Sequence, residues 1–371
     1  WTITVVNGGG TVTSSIDIKT VKEYAIQVFN SPVYGIRRQL ASSSPDWERT
    51  DNAIGLTFTP TIGTETGSSG FDTIAPWKDI HRTTIGTDVM VEIPNFYVKR
   101  YQEDGYEYIK VCATQNSGFV PAVSYSGGTP EKFYVGAYKT VSGHASKSGY
   151  NPLTNLTRAS FRSGATGKGC GWSLIDAQVV SAVNILMLVE TASYNSQSVI
   201  GRGYCDGNSA AIATGSCGGI VSGRPAGTDG STDIVYRYIE GWWGNVWEWF
   251  DGLNWQDGKY YFCNTRTSYA DDTIENYVQL GFNGQTNWSS SYFKTFGCDA
   301  SYPTVMLPNA VGASDSTFSC DGSWSSTGWR VVNRGGLWRN GSIAGAFAFT
   351  ANNGSSDASG YSGSRLLYIS P

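Results

Sequence analysis

The carboxyl-terminal stretch, Gly328 to Pro371, most limits what this chain can become. Two kinds of residue are interleaved there. Trp329, Arg330, Gly335, Gly336, Trp338, Gly341, Gly345, Phe347, Gly363, Arg365 and Leu366 read as a fixed frame. Leu337, Arg339, Asn340, Ile343, Phe349, Ala351, Asn352, Asn353, Asp357, Ser359 and Tyr361 form a looser set of apolar, basic, acidic and aromatic types. The loose set has no period, so neither a helix face nor a strand face accounts for it.

From Gly335 onward there is no Lys, Glu, Gln or Met, although the chain contains 11 Lys, 11 Glu, 9 Gln and 3 Met. An even spread would place about three of them there. Every residue of the loose set has a codon ending in a pyrimidine, and the four missing types have none. Random replacement of the adenines in an Asn codon, AAC or AAT, gives that repertoire. Ser342, Thr350 and Ser355 sit at the border of the set.

The frame resembles the variable region of diversity-generating retroelement proteins, the phage tropism determinants among them. It is carried by Gly328-Trp329-Arg330, Arg334-Gly335-Gly336-Leu337-Trp338, Ala344-Gly345-Ala346-Phe347 and Gly363-Ser364-Arg365. A second run, Gly244-Asn245-Val246-Trp247-Glu248-Trp249, resembles the signature of the formylglycine-generating-enzyme branch of the C-type lectin fold. Together the two cover roughly residues 85 to 369. They imply an α+β C-type lectin fold with mixed and antiparallel strands, one long buried helix and extensive loops. They imply a domain over 33–371 with a variable region at 335–362, preceded by an element or linker at 1–32. Trp247, Trp249, Gly335, Gly336 and Trp338 would be scaffold, and the eleven loose residues a hypervariable ligand-binding surface. Interfaces draw most of their energy from a few aromatic and Arg anchors, which points to Arg339, Phe349 and Tyr361, with Leu337 and Ile343 as apolar fill. The implied role is host attachment through a cell-surface protein or glycan receptor. The implied location is a virion tail fibre or a bacterial cell surface, and the family includes trimers as well as monomers.

With 40% apolar residues, 13 Trp, 22 Tyr and 15 Phe, the chain can build a large packed core. Only 15% of residues are charged, while Gly reaches 46, which suits a β- and loop-rich protein. A net charge of -4 with no basic face argues against nucleic acid as partner. No apolar run is long enough to span a bilayer as a helix. The chain opens at Trp1 with no signal peptide in view, and its targeting is not readable. Seven cysteines without paired spacing point to no zinc or redox motif. Cys205 with Cys217 would close a loop, and Cys263, Cys298 and Cys320 offer further pairings. Reduced, buried single thiols are the other reading.

In chain order, residues 1 to 14 read as strand, Gly turn and strand. Ser15 to Asn30 keeps helical spacing through Ile18, Val21, Ala25 and Val28. Strands are expected at Ile54–Phe58, Asp88–Arg100 with a Pro-Asn break, Glu107–Ala113, Lys132–Lys139, Lys259–Cys263, Tyr277–Phe282, Ser291–Phe296 and Val305–Pro308. A loop is expected from Lys139 to Gly171. The spacing predicts one strong helix over Trp172 to Thr191, capped at Ser173 and buried on most sides. Val246 is expected to face away from Trp247 and Trp249, with Glu248 a hydrogen-bonded structural acid.

Chemistry is sparse. His81 and His144 stand alone in polar contexts, which leaves neither a catalytic triad nor a His-rich metal site. The acids Asp206, Asp229, Asp233, Glu240, Glu248, Asp251, Asp257, Asp271 and Asp272 show no spacing that selects a catalytic pair. Glu92-Ile93-Pro94-Asn95 and Asn254-Trp255-Gln256-Asp257 depart from the calcium- and sugar-binding motifs of the lectins. A calcium-dependent glycan lectin is therefore poorly supported, though scattered oxygens leave a structural calcium open. A formylglycine-generating oxidase needs two cysteines near its end, and here none follows Cys320. No catalytic residue, cofactor or enzymatic activity is assigned.

Overall fold

The computed structural model describes residues 2–7, 10–15 and 31–371. Strands Thr2–Asn7 and Gly10–Ser15 pair antiparallel, in line with the two short strands expected over residues 1 to 14. The helix expected over Ser15 to Asn30 lies outside the described residues, apart from Ser15, the last residue of the second strand.

The described chain is mostly β, in several sheets, with few helices. One five-stranded antiparallel sheet has Val33–Gln39, Tyr106–Cys112 and Tyr97–Glu103 side by side, with Glu48–Asp51 and Val120–Pro121 at its edges. The turn between Tyr97–Glu103 and Tyr106–Cys112 is Asp104-Gly105, both at positive φ (48° and 80°). That conformation matches the strand twist and makes Asp-Gly a favoured two-residue hairpin loop. In a second sheet, Leu366–Tyr368 lies between Trp172–Leu174 and Lys132–Gly136. That pairing fixes Leu366–Tyr368 between two strands of the fold.

The largest sheet is mixed. Trp329–Arg334 lies between Leu253–Gln256 and Phe349–Asn353, and Phe349–Asn353 runs parallel to Gly322–Ser325. The short strand Trp247–Trp249 pairs with Trp329–Arg334 on one side and, in parallel, with Ser362–Ser364 on the other. The two sequence frames are thus adjacent strands.

The long helix covers Ala177–Thr191, later than expected. Asp176, not Ser173, is its cap, accepting from the amides of Gln178 and Val179 at 3.1 Å each. Trp172–Leu174 is instead a strand against Leu366–Tyr368, and the Ser173 hydroxyl accepts from Arg266 at 2.8 Å. The helix is buried from Ala177 to Glu190 and shares one core with Ile36, Ile109, Val111, Phe250, Phe347 and Phe349. Its buried polar side chains have partners, as desolvation requires, except that Gln178 accepts through Oε1 and leaves its Nε2 without one. Ser181 accepts from the Met306 amide, and Asn184 accepts from the Trp242 indole and donates to the Ala346 carbonyl.

Other expectations shift. Ile54 is exposed on a turn between Asp51 and Gly55, both at positive φ, and the strand there is only Phe58–Thr59. The loop before Gly171 contains a helix, Arg158–Thr166, capped by Thr157. The strand near Val305 begins at Pro308 and runs to Ala313. Val246 and Trp247 pack in one cluster rather than facing apart. All seven cysteines are unpaired thiols, so neither Cys205–Cys217 nor a pairing among Cys263, Cys298 and Cys320 is present.

Candidate functional site

The site begins with a charge cluster that holds the two frames together. Glu248, fully buried on the strand Trp247–Trp249, accepts from Lys139 at 3.0 Å, from Arg334 at 2.8 Å and from Arg365 at 2.7 and 3.0 Å. Burial pushes the Glu248 carboxyl up, but the charges of Arg365, Lys139 and Arg334 outweigh it and hold the group down at about 2. Burial also depresses Lys139, to about 8, and Arg334, to about 10. Arg334 lies over the Trp242 ring at 3.7 Å and donates to the Trp242 carbonyl, and Arg365 donates to the carbonyls of Gly136, Glu240 and Gly241. A buried carboxylate without these partners would be strongly unfavourable.

From this anchor the chain leaves Trp329–Arg334 through Gly335 and Gly336, at φ 88° and 84°. A Cβ on Gly336 would stand 2.6 Å from the Ala344 Cβ, so the loop closes only on glycine. Gly345 is bare for another reason: a Cβ there would stand 2.0 Å from Asp321 Oδ1. Further ties fix the loop. The amides of Trp338 and Gly341 donate to the carbonyls of Asn245 and Cys205, and the Asn340 side chain accepts from the Leu337 amide at 2.8 Å.

The held loops enclose an open concavity of about 390 Å³. Its buried floor is Trp247, Leu337 and Thr350, with Trp324 half-buried beside them. Asn340, Asn352, Asn353, Asp357, Ser359 and Tyr361 line the remainder. Tyr361 is 43% exposed, and the Arg339 guanidinium lies 4.6 Å from its ring centre. Trp338 packs against the same tyrosine at 5.6 Å, and the Trp247 and Trp324 rings meet edge to face at 6.1 Å. Leu337, Arg339, Asn340, Asn352, Asn353, Asp357, Ser359 and Tyr361 therefore gather at one place.

Three residues of the loose set lie elsewhere. Phe349 (3% exposed) and Ala351 (0%) point into the main core, where Phe349 packs against Tyr260 and Phe250. Successive strand residues face opposite sides, so Thr350 and Asn352 take the concavity while Phe349 and Ala351 take the core. Phe349 is thus a packing residue rather than an exposed anchor. Ile343, half-buried on the turn Gly341–Ile343, sits against Gly322. Of the expected scaffold, Trp249 packs with Phe161, Leu174 and Val331, while Trp247 is both scaffold and concavity floor. Trp324, Thr350 and Ser362 line the concavity without having been singled out as contact residues; Trp324 belongs to neither motif, and only its non-local pairing places it there.

The remaining acids are mostly tied up. Asp251 and Asp271 accept from Arg162 and Arg158, Glu240 accepts from the Gly215 and Cys217 amides, and Asp206 pairs with Arg202. Among the described residues no group of three His, Cys, Asp or Glu side chains is placed to hold a metal ion. Burial pushes the Cys320 thiol up to about 12, a poor nucleophile.

No protein-family model and no curated protein matches the sequence. Solved structures do. The chain is similar to tropism determinants. Against the Major Tropism Determinant U1 variant the TM-score is 0.33 at 12% identity, over 91% of this chain and 72% of that one. Against the P3c variant the TM-score is 0.32 at 10% identity, over 98% of this chain and 76% of that one.

Proposed function

We propose that the protein is a hypervariable receptor-binding protein built on a C-type lectin scaffold, with the concavity as its recognition face. One observation carries the reading. Residues drawn from a restricted codon set, and separated by up to two dozen positions in sequence, converge on one open depression. Behind them lies a frame of glycines, tryptophans and buried ion pairs. A rigid frame lowers the ordering cost of binding, so many different side-chain sets can work on one scaffold. Host-receptor recognition by a phage tail-associated protein, or by a protein of a bacterial cell surface, suits this design. The domain is 33–371, its variable region 335–362, and the preceding segment an attachment element. Assembly into a trimer would multiply weak contacts.

The test is a displayed library of the whole chain. It is randomised with pyrimidine-ending codons at Leu337, Arg339, Asn340, Asn352, Asn353, Asp357, Ser359 and Tyr361. The expected outcome is that most members fold and that binders to unrelated bait proteins are recovered. A library that mostly fails to fold overturns the reading. In the gene's neighbourhood, a near-identical repeat differing only at adenines, beside a reverse transcriptase, is expected as well.

A further inference from the structure

The concavity has a chemistry of its own, and two indoles set it. Trp247 and Trp324 stand outside the diversified set, so a ligand meets the same aromatic wall whatever the loops carry. Trp324 is the more accessible of the two, placed by the parallel pairing of Gly322–Ser325 with Phe349–Asn353.

Around the wall, the polar groups are amides and hydroxyls with unspent bonding capacity. Asn340 commits its Oδ1 to the Leu337 amide and Asn352 its Oδ1 to the Ser326 hydroxyl, which leaves both NH₂ groups to donate outward. Asp357 commits Oδ1 to the Ser359 amide at 2.9 Å, which leaves Oδ2 to accept. Among the described residues Asn353 and the Tyr361 hydroxyl have no side-chain hydrogen-bond partner within the protein. Asn353, with both ends of its planar amide uncommitted, can serve two neighbouring hydroxyls at once, while Asn352 and Asp357 each offer one remaining end.

The charge pattern narrows the ligand further. Asp357 is the only carboxylate in the lining, and the exposed Arg339, over the face of Tyr361 at the rim, offsets its charge, so the site as a whole favours neither an anion nor a cation. The ligand so described is uncharged and rich in neighbouring hydroxyls, and it has an apolar C–H face to lie against an indole. A volume of about 390 Å³ falls at the small end of small-molecule sites.

We propose that the concavity binds the neutral saccharide end of a surface glycan, without calcium, with Trp324 as the stacking platform and Asn352, Asn353 and Asp357 as the hydroxyl-recognising groups. This rests on the concavity being the recognition face and gives that face a ligand class. Calcium independence follows from the lining, where one carboxylate is too few to hold the ion between protein and sugar.

The experiment applies the intact chain to an array of neutral, acidic and sulfated glycans. Calorimetry then follows with the neutral mono- and disaccharides found, with calcium and with excess chelator. The expected result is binding to a subset of neutral glycans, unchanged by chelator. Trp324→Ala and, separately, Asn353→Ala should each weaken it about tenfold or more. Melting temperatures are recorded alongside, and the surface Asn353→Ala carries the test if Trp324→Ala does not fold. Silence on all neutral glycans, binding only to acidic ones, a requirement for calcium, or full affinity in Asn353→Ala and a folded Trp324→Ala each overturns the proposal. Silence on the array with protein binders recovered from the randomised library removes the saccharide and leaves the recognition face standing. A library that does not fold removes both.

Discussion

Arg365 and Glu248 lie 117 residues apart in the chain and meet at 2.7 Å in a fully buried site. The contact joins the last motif of the carboxyl-terminal frame to the tryptophan-rich strand, and Arg334 joins the same carboxylate from the other frame strand at 2.8 Å. Three cations therefore depend on one acid. Replacing it by Glu248→Gln removes the carboxylate that Lys139, Arg334 and Arg365 share as a direct partner, with Asp233 and Asp321 still near them. Breaking a buried ion pair from one side costs about 3–5 kcal/mol. Chemical denaturation of the variant should show a loss of that size, and a loss below about 1 kcal/mol would mean the cluster does not anchor the loops.

Asp233 sits close to this cluster and gives it a pH signature. Burial first, and then the Glu240 carboxylate, push Asp233 up to about 7 from an ordinary 3.8, against the pull of Lys139 and Arg365. The folded state therefore holds a proton that the unfolded chain has already released. Between about pH 4 and about pH 7 the native state binds more protons, so this group's contribution falls as pH rises through that window. Stability measured across it should decline less steeply in Asp233→Asn than in the parent. Identical slopes would show that the group titrates normally.

Parts of this arrangement are legible in the sequence, for identifiable reasons. Glycine and tryptophan spacing marks the frame because Gly336 and Gly345 sit where no Cβ fits. Glu248 between two tryptophans reads as a structural acid because no isolated charge survives there. The boundary of the variable face is less legible. Codon restriction admits Phe349 and Ala351 to the loose set, but strand parity sends both into the core, and that parity is fixed by pairing with the distant strand Gly322–Ser325. Trp324 escapes notice for the same reason. The long helix shows a local limit: Trp172–Leu174 is as apolar as the helix after it, so the run does not reveal that a strand precedes the Asp176 cap.

Gly345 tests the frame from inside. A methyl group there would overlap the Asp321 carboxylate, which accepts the Phe347 amide at 2.8 Å. Gly345→Ala must displace a buried acid and lengthen that bond, an overpacking cost of about 1–3 kcal/mol. Gly354→Ala is the control, since nothing lies within 4 Å of its added Cβ. It should stay within about 0.5 kcal/mol of the parent in thermal unfolding. Equal effects at the two positions would remove steric closure as the reason for the frame glycine.

Phe349 and Asn352 belong to the same strand and the same codon-restricted set, yet they face opposite environments. Phe349 touches the rings of Tyr260 and Phe250 in the main core, so Phe349→Ala removes buried apolar surface and leaves a cavity. Such a truncation costs about 3–5 kcal/mol. Asn352→Ser and Tyr361→Ser remove groups that open onto solvent and the concavity, and each should change stability by about 0.5 kcal/mol or less. The split has a consequence for diversification. If position 349 varies at all, its tolerated residues are large and apolar, whereas positions 352 and 361 accept every type the codons allow. Sequencing the folded fraction of a library randomised at all three positions measures this directly. A uniform residue distribution at 349 among folded members would show that its burial does not constrain the recognition face.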